Sequence, residues 1–277
     1  MKNILVSDFT VKEMPHGGSE WVNQVIIEEF NLDFEYSNKI NQFNKDNLYI
    51  ISNISLMSNE VMNQIVDYNY VILEHDYKIC ESRHPWRYPN NLIPKSDRTN
   101  YELYKKAKAV FVQTTDHLNV YLKNDVKGNF INLNSSIWSN KDLDLLSGFI
   151  NKEKSNKTAI YATNNWIKNT NGAIDYCVKN NLQYGLVPNQ DRNSFLNDLS
   201  NYSSLTFFPI ARETFCRLVI EAKCMGMDVV TTRNYGASLE NYFDLKGQEL
   251  ITFLRMSTKN NLKKIKKYLN GNTNNPI

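Results

Sequence analysis

Cysteine and histidine are scarce in this chain, and what they fail to form narrows its class. The four cysteines, Cys80, Cys177, Cys216 and Cys224, make no C-x-x-C pair. Neither a zinc site nor a disulfide framework is read from them, and a reducing cytoplasm is the expected setting. No apolar run approaches the roughly 18 residues of a membrane span, and the N-terminal apolar run, Ile4 to Val6, is too short for a signal peptide. No G-x-G-x-x-G follows the first expected strand, which argues against a dinucleotide-binding oxidoreductase. No metal-ligand cluster is read, and neither a metal nor a cofactor is expected. The net charge of +3 is too small to name nucleic acid as a partner, and it does not oppose an anionic one.

What is present is an ordinary globular composition, 42% hydrophobic and 22% charged, in a length that suits two α/β halves of roughly 130 residues. The abundance of Asn, Lys and Ile fits an AT-rich and viral genome.

The most informative stretch is LTFFPIARETFCRLVIEAKCMGMDVVTT, Leu205 to Thr232. Leu205 to Phe208 reads as a buried strand closed by Pro209. Thr214 is the expected N-cap of a helix that buries Phe215, Leu218, Ala222 and Met225 and ends near Gly226. Asp228 to Thr232 is the next strand. Glu213 precedes the helix, and Glu221 lies two turns inside it, roughly 10 Å from its start. A helix start offers N–H groups and a positive dipole end to a diphosphate, and a carboxylate two turns down can accept the hydroxyls of an attached ribose. Alternatively, Glu213 is a dipole-favoured acid and Glu221 a solvated helix position.

Strands alternate with helices along the rest of the chain, which predicts parallel sheets. Lys2 to Val6 leads, through a loop to His16, into Gly17, Gly18, Ser19 and Glu20 and a helix on Trp21, Val22, Val25, Ile26 and Phe30, with Ser19 as its cap. The glycines either admit a phosphate or sugar or simply form a left-handed turn. Strand Tyr70 to Glu74 ends in His75 and Asp76, at the carboxyl edge where open sheets bind ligands. Tyr77 to Arg98 has little periodicity and packs Arg83, His84, Trp86 and Arg87 among three prolines. It reads as an anion- and ring-binding loop, or as a solvated loop with Trp86 in the core. Asn134 to Asn140 is the expected hinge. Thr158 to Ala162 opens the second half, followed by a loop holding Lys168. From Thr258 a basic amphipathic helix is expected to pack back across the domains, with a disordered end and with membrane-surface or DNA contact as lesser options.

Glu213 and Glu221, set in P-x-x-x-E-x-F-x-x-x-x-x-E-A-x-x-x-G, resemble the E-x7-E signature of retaining GT-B glycosyltransferases, family 4 above all. Gly17-Gly18-x-Glu20 is similar to that family's first glycine loop, and His75 to the histidine after a corresponding strand. The resemblance departs at two places: Cys216 stands where a glycine follows the phenylalanine, and asparagines occupy the loop before Lys168 where the family has an arginine. It implies an α/β GT-B fold, two Rossmann-like doubly wound domains facing across a cleft, with an acceptor-side domain at 1–140 and a donor domain at 141–277. The implied reaction is metal-independent, retaining transfer of a sugar from a nucleoside diphosphate to a hydroxyl, the acceptor being a glycan or lipid-linked sugar or, in a viral setting, a hydroxymethylated DNA base. Glu213, His75 and Lys168 would be catalytic. Gly17, Gly18, Lys168, Arg212, Glu213, Thr214, Phe215, Arg217 and Glu221 would bind the donor, Arg212 or Arg217 replacing the missing arginine. Arg83, His84, Trp86 and Arg87 would bind an acceptor carrying negative charge. The competing readings are a nucleotide-sugar-binding protein without catalysis and a nucleic-acid-binding module.

Overall fold

The computed structural model describes residues 2–13 and 17–270. His16 and the tail after Asn270, expected to be disordered, lie outside them. The chain forms two compact units, one comprising residues up to Trp138 and those from Ser257 onward, the other Ser139–Met256. The boundary at Trp138 falls inside the segment Asn134 to Asn140.

The first unit contains β1 (Asn3–Ser7), α1 (Gly18–Phe30), β2 (Asp33–Tyr36), β3 (Leu48–Ile51), α2 (Asn59–Ile65), β4 (Asn69–Leu73), α3 (Tyr101–Lys106), β5 (Val110–Val112), α4 (Thr115–Lys123) and β6 (Phe130–Asn132). Its strands pair in parallel in the order β2-β1-β3-β4-β5-β6. Side chains alternate between the faces of a strand, and both faces of this sheet are covered, so its inner strands are apolar throughout. Ile4, Val6, Tyr49, Ile51, Tyr70 and Ile72 pack with Met62, Leu103, Tyr104 and Tyr121 from α2, α3 and α4. Leu5, Leu48, Ile50, Val71 and Leu73 pack on the other face with Val22 and Ile26 of α1.

The second unit contains α5 (Asn140–Gly148), β7 (Ser155–Ala162), α6 (Thr170–Lys179), β8 (Tyr184–Pro188), α7 (Arg192–Leu199), β9 (Tyr202–Phe207), α8 (Arg217–Cys224) and β10 (Asp228–Thr231). Its parallel sheet runs β10-β9-β7-β8. The last helix, α9 (Gly247–Leu269), starts eleven residues before the expected Thr258. Its first turns bury Leu250, Ile251 and Leu254. Its end returns to the first unit, because Ile265 and Leu269 complete the core on the α1 face of that sheet. No helix among the described residues is long and apolar enough to cross a membrane.

Candidate active site

In the second unit β7 and β9 are neighbours, while β8 lies on the far side of β7. Strand order therefore reverses between β7 and β9, and the crevice at their carboxyl ends is where such sheets bind ligands. Two loops meet there. The Ile210 N–H donates to the Ile167 carbonyl at 2.8 Å, and Asn169 Nδ2 donates to the Phe208 carbonyl at 3.0 Å. Asn165 accepts from the Ile167 N–H at 3.1 Å and caps a 3₁₀ turn, Trp166–Lys168. Asn169, left-handed at φ 55, then caps α6. The asparagines of this loop thus shape the turn that presents Lys168.

Lys168 Nζ lies 2.7 Å from Glu213 Oε1, with the two side chains 30% and 20% exposed. Burial alone would lower the Lys168 pKa, but the Glu213 charge beside it prevails and raises it, so the ammonium is charged at neutral pH. Glu213 is fixed through its backbone: its N–H donates to the Asn234 carbonyl at 3.1 Å and its carbonyl accepts from the Gly236 N–H at 2.9 Å. This bridge to the segment after β10 keeps the chain extended at Glu213 and delays the helix.

Thr214 is consequently not the N-cap. It is buried, as is the Phe215 ring, and α8 starts at Arg217 with Cys216 as its N-cap, left-handed at φ 75. A residue with a Cβ pays about 1–2 kcal/mol for that conformation, and this is the position that family 4 gives to glycine. The Cys216 thiol is buried against Glu213, and burial and then that charge push its pKa well up. Arg212 is half-buried in the turn just before Glu213. At the other end α8 stops at Cys224, and Gly226 adopts φ 78, as the sequence predicts.

Glu221 is not a solvated helix position; its side chain is 5% exposed. Its Oε1 accepts from Arg192 Nη1 at 2.7 Å and lies 3.5 Å from Arg217 Nε. Asp142 of α5 completes the cluster, 3.4 Å from Arg192 Nε and 3.9 Å from Arg217 Nη2. Two anions and two cations therefore neutralise one another, as burial requires. Burial and the neighbouring Arg192 lower the Arg217 pKa to about 10. Burial works against Arg192 as well, but Glu221 and Asp142 raise its pKa. Arg217, expected beside the donor diphosphate, thus belongs to the Glu221 cluster. The sequence does contain one D-x-D, Asp142-Leu143-Asp144. Its acids meet arginines, the second at 2.5 Å from Arg255.

The other expected residues lie in the first unit. Gly17 is the N-cap of α1 in an extended conformation, φ −112, and neither it nor Gly18 is left-handed. Its N–H donates to Glu20 Oε2 at 2.5 Å, and Ser19, expected to cap, donates its hydroxyl to Glu20 Oε1 at 2.7 Å. Gly18 begins the helix and is exposed. His75 follows β4, half-buried, and its N–H donates to Glu74 Oε1 at 3.2 Å. Glu74 is buried with Lys78, which it bonds directly, and accepts from the Tyr104 hydroxyl at 2.7 Å. Lys78 also lies 3.0 Å from Asp76 Oδ1. Burial opposes the Lys78 charge, but Asp76 and Glu74 raise its pKa.

The segment from Tyr77 to Arg98 is ordered despite its lack of periodicity. A bridge between Cys80 and Arg98 closes it, three short 3₁₀ turns fill it, and Ile79 and Ile93 anchor it in the core. Arg83 is tied down, 2.6 Å from Asp76 Oδ2 and 3.1 Å from Asn53 Oδ1. His84 and Trp86 stand with ring centroids 5.6 Å apart, and the exposed Arg87 lies 5.8 Å from the Trp86 ring. Burial, then Arg87, lower the His84 pKa.

Arg192 and Asp142 were not singled out by the sequence. They lie 29 and 79 positions before Glu221 with no shared spacing, and only the folded sheet brings them to it.

No family model matches this chain, and no curated protein matches it in sequence. Solved structures do match. The apo structure of OtsA is 8% identical, with 100% of each chain covered and a TM-score of 0.58. The pneumococcal O-GlcNAc transferase GtfA is 14% identical over 95% of this chain and 62% of its own, with a TM-score of 0.52. Anabaena HepE is 12% identical over 96% and 95%, with a TM-score of 0.50. Identity this low speaks for architecture alone. The chain has an α/β fold of two parallel sheets that matches GT-B glycosyltransferase structures along its whole length.

Proposed function

We propose that this protein is a retaining glycosyltransferase of the family-4 kind, moving a sugar from a nucleoside diphosphate to a hydroxyl acceptor. The observation that carries this reading is the pairing of Lys168 with Glu213 at the β7/β9 crossover, followed by a buried Glu221 one turn inside α8. A lone E-x7-E is a weak pattern; here the first acid follows β9 at the carboxyl end of the sheet and the second is buried on the helix after it, which supports the reading. Structures of similar fold support the substrate class. GtfA was solved with UDP and GlcNAc, HepE with UDP, and a trehalose-6-phosphate synthase with a TM-score of 0.53 in work on glycosyl transfer with retention.

Each residue then has a task. Lys168 and the first N–H groups of α8 neutralise the diphosphate as it leaves, Glu213 accepts from hydroxyls of the transferred sugar, and Glu221 accepts from the ribose. Arg212, beside Glu213, is the cation we assign in place of the family's arginine. The anomeric C–O bond to the diphosphate breaks, and the acceptor oxygen bonds the same face. The acceptor's proton passes to a diphosphate oxygen.

The test is thermal unfolding with UDP, GDP and ADP and their sugars. A true donor at 100 times its Kd stabilises the protein by about 2.7 kcal/mol. No stabilisation by any of them would refute the reading.

A further inference from the structure

Glu221 can serve a ribose only if its carboxylate is held in one orientation, and its two arginines are not equivalent in this respect. Arg217 is four residues earlier on the same helix, so it moves with α8 and cannot fix Glu221 against the rest of the sheet. Arg192 is the first residue of α7, the helix that follows β8. Its guanidinium uses two edges, Nη1 on Glu221 at 2.7 Å and Nε on Asp142 at 3.4 Å. A planar fork held at two points has its plane fixed. The contact therefore ties α8 to α7 and α5, and at 11% exposure of the Arg192 side chain water competes little for it. Both arginines meet Glu221 on Oε1.

We infer that Arg192 is a positioning residue for nucleotide recognition, holding Glu221 so that its carboxylate meets the ribose hydroxyls. The inference rests on the donor-site reading above. Arg192 does not touch the reacting atoms; it acts through Glu221, and Asp142 sets its plane. A lysine there would keep the charge and lose the fork.

The experiment measures binding of UDP, GDP and ADP, each beside its 2′,3′-dideoxy form, to the full chain and to Arg192→Lys. The parent protein should prefer the hydroxylated form of its nucleotide by about tenfold or more, the size of a bond to a charged acceptor. Arg192→Lys should lose most of that preference while binding the dideoxy form as the parent does. A purely structural role would weaken both forms alike and leave their ratio unchanged, and that result overturns the proposal. If Arg192→Lys does not fold, Asp142→Asn releases one edge of the fork and should lower the ratio in the same direction; an unchanged ratio again overturns it. A parent protein with no preference would remove the ribose from Glu221, and one that binds no nucleotide would refute the donor reading itself.

Discussion

Lys168 Nζ sits 2.7 Å from Glu213 Oε1, so the cation expected to receive a diphosphate is closed onto an acid of the same site. On the proposed reading a donor parts them, giving Lys168 the phosphates and Glu213 the sugar hydroxyls. Lys168→Ala should cut turnover by about 10²-fold or more, the usual size for losing one stabiliser of developing charge. The pair is partly exposed, so unfolding should shift by less than about 1 kcal/mol. Steady-state kinetics beside a melting curve checks both; a variant that melts early and turns over normally would make the pair structural.

Cys216 reverses the ordinary order of helix-terminal residues. Because it is left-handed at φ 75, Cys216→Gly should be more stable than Cys216→Ala by about 1 kcal/mol. Denaturant midpoints of the two variants measure this. Equal midpoints would mean that the backbone relaxes out of the left-handed region.

The Glu74 cluster predicts an acid-sensitive first unit. His117 is buried there, its Nε2 3.1 Å from the Asp76 carbonyl, and burial lowers its pKa to about 4. An unfolded histidine titrates near 6.5. Above that value the stabilisation is fully present. As pH falls from about 6.5 to 4 the unfolded chain takes a proton that the folded one refuses, and on the order of 3 kcal/mol is lost. Asp76, held low by Lys78 and Arg83 against its burial, adds a loss at still lower pH. Glu74, raised by burial, has the opposite sign. His117→Gln should flatten the slope between pH 6.5 and 4; an unaltered slope would assign it to other groups.

The two arginines of the Tyr77 to Arg98 segment should separate. Arg83 bonds Asp76 and Asn53, so Arg83→Ala should lower the melting temperature whatever it does to activity. Arg87 is exposed, and Arg87→Ala should leave stability unchanged while raising the KM of an anionic acceptor, less so at high salt. Damage to donor hydrolysis by Arg87→Ala would contradict an acceptor role.

The alternation of strand and helix, and hence both parallel sheets, was legible because inner strands read as apolar runs and helices as periodic ones. Leu48–Ile51 carries that signal in four buried residues, whereas the edge strand Asp33–Tyr36 alternates charged and aromatic residues. Glu213, Glu221 and Lys168 stand out as candidates in the sequence because they lie in local patterns. The start of α8 was not legible, since the bridge from Glu213 to Tyr235 overrides the capping preference of Thr214. The partners of Glu221 were not legible either: Arg192 follows one strand and Asp142 precedes another, so only the sheet order unites them. The Tyr77 to Arg98 segment lacked periodicity because its order comes from single anchors, Ile79 and Ile93, and from Asn124, whose Oδ1 accepts from the Ile93 N–H at 2.8 Å.

The stereochemistry of transfer is the most direct measurement. Anomeric proton signals, followed by NMR while the protein is incubated with α-linked UDP-, GDP- and ADP-sugars, report which anomer forms first. One donor should be consumed with the α product appearing before any β anomer, and Lys168→Ala should slow that consumption by about 10²-fold or more. A β product formed first, or no donor consumed by the folded protein, would contradict retaining glycosyl transfer at this site.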